Sequence, residues 1–269
     1  MQDLLSLCPY VSNLHLQGCL MQRDLDDIPH FRFLKHFTIA PYKSRNNSPT
    51  TPQAAAVLLL KFPTSLSSLR LQGTHIAEFR LLPPLPTITE VHLCGSTSFI
   101  SESLKMLPYL VKVSLEFSDS QATSRDIIPA LKSIASMSKT TLRYLKYVTG
   151  ANVLVRDTLA PLFNIPYLQS LAILKRNIRV LDITDGDLRQ MVVAWPDLSS
   201  LTLPVNVQTS HLSLNSLRTL STLKNVEYIL LQVNNFVVEL PLGHFTRGSI
   251  ISPAVKVYLQ RLFPSLFSF

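Results

Sequence analysis

The sequence predicts an α/β fold of repeated units: a curved right-handed solenoid with parallel strands on its concave face and helices on its convex face. Three observations carry that expectation. One apolar phrase recurs along all 269 residues, helical patterns fall between its copies, and the chain holds ample aliphatic material for a shared core. Val, Ile and Leu fill 82 positions, and apolar residues reach 46%. Charged residues make up only 16%, against about 25% in an ordinary soluble domain. A disordered tail is excluded by this composition. Seven glycines exclude collagen-like chains, and 18 prolines exclude long uninterrupted coiled coil.

The phrase reads Pro, any residue, aliphatic, two residues, aliphatic, one residue, aliphatic. It stands at Pro9-Val11-Leu14-Leu16, Pro86-Ile88-Val91-Leu93, Pro108-Leu110-Val113-Leu115, Pro166-Leu168-Leu171-Ile173 and Pro196-Leu198-Leu201-Leu203. Chance would supply roughly 0.5 copies at this aliphatic content. Relaxed copies fill the gaps at Leu34-Phe37-Ile39, Leu66-Leu69-Leu71, Leu142-Leu145-Tyr147 and Val226-Ile229-Leu231, and a last one starts at Pro264. Successive units begin 22 to 40 residues apart, irregular but near the spacing of leucine-rich repeats. Residues 1–269 therefore read as a single leucine-rich repeat domain of about ten irregular units.

The elements follow in order from elementary physics. In L-x-L the two apolar side chains share one strand face and enter the core, while the middle residue points away. Three residues beyond the last aliphatic of each phrase stand Cys19, Tyr42, Thr74, Ser96, Ser118, Gly150, Arg176, Asn206 and Asn234. Six of the nine are Cys, Thr, Ser or Asn, which hydrogen-bond backbone groups where a strand turns. Helices are expected where Ile127, Ile128, Leu131 and Ile134, then Leu188, Met191, Val192 and Trp195, then Val255, Tyr258, Leu259, Leu262 and Phe263 repeat at helical spacing. Thr184 is the expected N-cap of the second, with Asp185 and Asp187 in its first turn. Proline before each strand phrase is expected to stop the helix and favour extended backbone. Residues 40–56 read as an inserted polar loop, and 232–252 as a second irregular stretch.

Chemistry-bearing motifs are scarce. Cys8, Cys19 and Cys94 form no even disulfide set and no C-x-x-C pair, which suits reduced thiols in the cytoplasm or nucleus. Asp182, Asp185 and Asp187 around Gly186 lack the order and the later Glu of a calcium loop, so capping is the better account. No histidine pair has zinc spacing, and no G-x-S-x-G, P-loop or dinucleotide fingerprint occurs. No enzyme activity, metal or cofactor is expected. The longest apolar run, Ala54 to Leu60, is far short of a membrane span. A net charge of +8 is spread without a basic run.

Binding is what remains. Outward strand positions place Asn13, His15, Arg70, Gln72, His92, Lys112, Tyr144, Lys146, Tyr228 and Leu230 on the concave face as candidate partner contacts. Gln17, His36, Ser68, Glu90, Glu116, Ser170, Ala172, Leu174, Thr202 and Gln232 stand beside them. Arg70, His92, Tyr144 and Tyr228 are the expected anchors, because interfaces concentrate energy on Arg and aromatic groups.

The stretches Cys8-Pro9-Tyr10-Val11-Ser12-Asn13-Leu14-His15-Leu16 and Ala194-Trp195-Pro196-Asp197-Leu198-Ser199-Ser200-Leu201-Thr202-Leu203 resemble fungal F-box/leucine-rich repeat proteins. The closing Val257-Tyr258-Leu259-Gln260-Arg261-Leu262-Phe263-Pro264-Ser265-Leu266 is similar to the last helix and strand of the same family. The resemblance implies a non-enzymatic scaffold whose repeats capture an unknown target protein for a ubiquitin ligase. Docking to the adaptor of a cullin-type ligase needs an N-terminal F-box, and the first repeat, beginning at Leu4 or Leu5, leaves no room for one. Two alternatives stand behind this reading: a basic repeat protein associated with nucleic acid, and a truncated gene copy without retained activity.

Overall fold

Tight turns that end on the first aliphatic residue of a phrase launch the strands. The computed structural model describes residues 7–17, 25–40, 56–72, 77–81, 85, 87–117, 124–149, 153–175, 180–204, 209–233, 236–240 and 253–264. In Cys8-Pro9-Tyr10-Val11 the Val11 N–H donates to the Cys8 carbonyl at 3.3 Å. In Trp195-Pro196-Asp197-Leu198 the Leu198 N–H donates to the Trp195 carbonyl at 3.1 Å. Proline thus takes the second position of a four-residue turn, where its fixed φ fits and no N–H is required. At these two sites it belongs to the turn itself rather than to a stretch of extended backbone after a helix. Leu34 and Leu66 close the same turn onto Phe31 and Pro63 at 3.0 and 3.2 Å.

The fold is α/β with mostly parallel sheets, and the chain divides into two compact units, Met1–Asp119 and Ser120–Phe269. The first unit contains β1 (Asn13–Gln17), β2 (His36–Ala40), β3 (Ala56–Leu60), β4 (Ser68–Gln72), β5 (Ala77–Leu81), β6 (Glu90–Gly95) and β7 (Lys112–Phe117), with helix α1 (Thr97–Leu104) before β7. Strands β1, β2, β4, β6 and β7 pair in that order, all parallel, and β3 pairs parallel with β5 in a second sheet. Register aligns the phrases. Leu14, Phe37, Leu69, Val91 and Val113 lie side by side, and so do Leu16, Ile39, Leu71, Leu93 and Leu115. All are buried except Leu16, which is half-buried.

One hydrogen-bond pattern precedes each of these strands. The Ser12 carbonyl accepts from the N–H groups of Lys35 and His36, and that of Lys35 from Ser67 and Ser68. The Ser67 carbonyl then accepts from Thr89 and Glu90, and that of Thr89 from Val111 and Lys112, all at 2.7–3.0 Å. A carbonyl has two lone pairs, so one oxygen can receive both donors.

The second unit repeats the arrangement. It contains α2 (Ser124–Met137), β8 (Tyr144–Thr149), β9 (Val153–Val155), α3 (Arg156–Leu159), β10 (Ser170–Lys175), β11 (Val180–Thr184), α4 (Asp185–Ala194), β12 (Ser200–Thr202), β13 (Thr209–His211), α5 (Leu214–Leu220), β14 (Tyr228–Val233), β15 (Phe236–Leu240) and α6 (Pro253–Leu262). Strands β8, β10, β12 and β14 are parallel, β15 adds antiparallel to β14, and β9, β11 and β13 form a parallel sheet of their own. The carbonyls of Arg143, Gln169 and Ser199 each accept two successive N–H groups from the next strand at 2.8–3.1 Å.

The helices stand where the apolar spacing puts them. Ile127, Leu131 and Ile134 of α2 are buried, as are Leu188 and Met191 of α4, Trp195 just after it, Leu259 of α6 and Phe263 just beyond. Ile128 and Val192 are half-buried. Thr184 caps α4 in a reciprocal capping box with Asp187, the Thr184 N–H donating to Asp187 Oδ2 at 2.9 Å. Of the nine turn positions singled out after the phrases, only Ser96 lies among the described residues. It caps α1, accepting from the Phe99 N–H at 3.3 Å. The expected loop over 40–56 lies outside the described residues apart from its ends. The irregular stretch expected over 232–252 is corrected in part: β14 runs on to Val233 and β15 spans Phe236–Leu240, because each residue of that segment finds a partner on β14. Residues 241–252 lie outside the described residues.

Candidate binding surface

Alternation along each strand sends every second side chain away from the buried rows. In the first unit, register gathers the middle residues of five phrases into one line: His15, Thr38, Arg70, His92 and Ser114. Adjacent strands are about 4.8 Å apart, so neighbouring side chains in this line are within reach of one ligand. A parallel line holds Asn13, His36, Ser68, Glu90 and Lys112. Asn13, His15, His36, Arg70 and Lys112 are exposed, while Gln72 and His92 are half-buried. Lys112 Nζ lies 3.9 Å from Glu90 Oε2, and His92 Nδ1 lies 3.0 Å from Ser114 Oγ. Arg70 has neither an ion pair nor a hydrogen bond among the described residues. Its five donors are open to solvent.

In the second unit Tyr144, Ser170, Ser200 and Tyr228 form one line, and Lys146, Ala172, Thr202 and Leu230 the next. Tyr144 is 44% exposed, Lys146 is exposed, and Tyr228 and Leu230 are half-buried. Tyr228 donates its phenol hydrogen to Glu239 Oε1 at 2.9 Å across β14 and β15. Desolvation, with this bond and the Glu239 charge behind it, pushes the Tyr228 phenol up to about 12. Thr202 and Gln232 are buried, so neither offers a side chain to a partner.

Thr38 and Ser114 were not among the sequence candidates, although they occupy the same middle position as His15 and Arg70, which is the signal that finds them. A second feature also escaped the sequence reading. The residue just before the first aliphatic of a phrase is aromatic and exposed at Tyr10, Phe33, Tyr109 and Tyr167. Tyr10 and Phe33 from adjacent phrases lie with ring centroids 5.2 Å apart. In the second unit the Arg143 guanidinium sits 4.8 Å above the Tyr167 ring, a cation–π contact.

The acidic cluster around Gly186 is committed to helix ends. Asp185 accepts the Ser213 N–H at 2.8 Å and the hydroxyl hydrogens of Ser213 and Ser216, which ties the start of α4 to the start of α5. Burial alone would raise the Asp185 carboxyl. The Ser213 and Ser216 bonds, with the Arg189 charge, outweigh it and hold the group below the usual carboxylate range. Asp187 adds an ion pair to Arg156 at 3.0 Å. Among the described residues no group of three or more His, Cys, Asp or Glu could hold a metal ion, and no helix is long and apolar enough to cross a membrane. Basic charge is uneven: Ser120–Phe269 carries 15 Lys and Arg against 8 Asp and Glu, and Met1–Asp119 carries 10 against 9. On the helix side of the second unit, a groove of about 670 Å³ is lined by Ile128, Lys132, Ala135, Lys139, Asp157 and Pro161.

No protein-family model matches the chain, and no curated protein matches it at a significant level.

Proposed function

We propose that this chain is a non-enzymatic protein-interaction scaffold: a leucine-rich repeat solenoid of the kind that recognises targets in F-box ubiquitin-ligase receptors. Its binding surface is the sheet face opposite the buried rows. The observation that carries this reading is the register of the first unit. Five strands from five phrases place exposed His15, Arg70 and Asn13, and half-buried His92, in adjacent lines. A polar face built by pairing alone, with the apolar half of every strand spent on the core, is free to vary in side chain without loss of fold. Tyr144 and Tyr228 supply the aromatic anchors of the second unit. Cys8 and Cys94 stand outside any disulfide, which suits a reducing compartment, the cytoplasm or nucleus.

The test compares faces. A photo-crosslinking residue in place of Thr38 or Ala172, outward neighbours of Arg70 and Lys146, should capture a specific protein in cell extract. The same residue in place of Arg218 on α5 should not. Capture from the Arg218 position alone would overturn the choice of face.

A second reading, association with nucleic acid, is favoured by the basic surplus of Ser120–Phe269. It predicts binding to random duplex or single strands that weakens steeply with salt. Lys146 is the one cation among the described outward residues of β8, β10, β12 and β14.

A further inference from the structure

We infer that the sheet face of the first unit takes an acidic peptide segment of a partner protein, with Arg70 as the carboxylate anchor and His15, His36 and His92 as flanking hydrogen-bonding groups. The inference rests on the proposed binding face and adds the chemistry of its occupant. Arg70 is exposed and has no acidic partner among the described residues. A guanidinium with five free donors matches a carboxylate fork. His92 stands in register beside it on β6, and His15 lies two strands away in the same line. His36 pairs with Ser68 in the neighbouring line. The strand register names the described outward groups of this face. β1 offers Asn13, His15 and Gln17; β2 offers His36, Thr38 and Ala40; β4 offers Ser68, Arg70 and Gln72. β6 offers Glu90, His92 and Cys94, and β7 offers Lys112, Ser114 and Glu116. Glu90 is held by Lys112 at the β7 side of the face. Among the described outward residues the acids therefore stand on β6 and β7, and none stands on β1, β2 or β4.

Nucleic acid fits this patch less well. Its evenly spaced phosphates would meet Glu90 and Glu116.

The test measures fluorescence anisotropy of the full chain with a labelled peptide of alternating Glu and Ser. A Gln/Ser peptide and oligothymidine serve as comparisons. The Glu/Ser peptide should bind and the Gln/Ser peptide should not. Arg70→Ala should weaken binding by about tenfold or more. Arg218→Ala, on α5 of the other unit, should leave affinity unchanged. Equal affinity of wild type and Arg70→Ala overturns the inference, as does tighter binding of oligothymidine. A crosslinker in place of Thr38, the register neighbour of Arg70, separates the two levels. If it captures a protein that the Glu/Ser peptide fails to displace, the acidic chemistry is wrong while the face stands. If it captures nothing and the helix side does, both fall.

Discussion

Trp195 Nε1–H donates to the main-chain oxygen of Leu162 at 3.1 Å, joining the residue that closes α4 to the short 3₁₀ turn Ala160–Asn164 of the preceding repeat. Both residues are fully buried, and the Phe163 ring leans on the indole at 5.4 Å. The indole therefore fills volume and satisfies a carbonyl that water cannot reach. Trp195→Phe should destabilise the fold by about 2–4 kcal/mol, and Trp195→Ala by more. Urea unfolding followed by circular dichroism measures this. A loss under about 0.5 kcal/mol for Trp195→Phe would show that the bond does not form in solution.

Asp185 couples α4 to α5 through Ser213, whose hydroxyl donates to the carboxylate and accepts from the Asn215 N–H at 3.1 Å. Asp185→Ala strips that relay and should cost about 1–2 kcal/mol. Because the folded carboxyl is held below its unfolded value, the ionised form favours folding. The contribution is present above the ordinary carboxylate range and fades as pH drops through the lowered value. Wild type should lose stability in acid more steeply than Asp185→Ala, and parallel acid titrations of the two would refute the assignment.

The Tyr147 hydroxyl is buried without a hydrogen-bond partner among the described residues, and burial drives its ionisation far above the usual phenol range. Tyr147 takes an aliphatic place in its phrase, so the ring is wanted and the oxygen is not. Tyr147→Phe should be neutral or raise stability by about 1–2 kcal/mol, readable as a higher melting temperature. A marked drop would mean that the hydroxyl has a protein partner in solution.

Tyr144 and Leu145 are neighbours on opposite faces of β8, 44% and 1% exposed. Leu145→Ala should cost about 2–5 kcal/mol through the cavity it opens. Tyr144→Ala should stay within about 0.5 kcal/mol in stability. If the Tyr144 change proved the more damaging one in thermal melts, the facing of the strand would be reversed.

How much of this was legible in the sequence differs by element. The lines through Leu14, Leu69 and Leu201 were legible because a strand alternates with period two and the phrase repeats that alternation. Thr184 announced α4 because a capping oxygen followed by an acid three residues on has one efficient use. Strands β9 and β13 were not legible: three residues, Val153–Val155 and Thr209–His211, are too short to show alternation, and pairing with β11 makes them strands. The antiparallel β15 was hidden for a related reason, since its fit to β14 depends on partners outside the segment. Arg70 and His92 were legible as outward residues, whereas the Tyr228–Glu239 bond needed β15 to exist first.

The shared carbonyl ahead of each strand has an evolutionary consequence. Leu34 and Leu66 start phrases 32 positions apart, Leu66 and Ile88 only 22, yet β2, β4 and β6 remain aligned residue for residue. Alignment is settled locally where each coil begins, so insertions and deletions on the way round leave it untouched. A gene for such a chain can gain or lose codons between phrases without relearning how to fold.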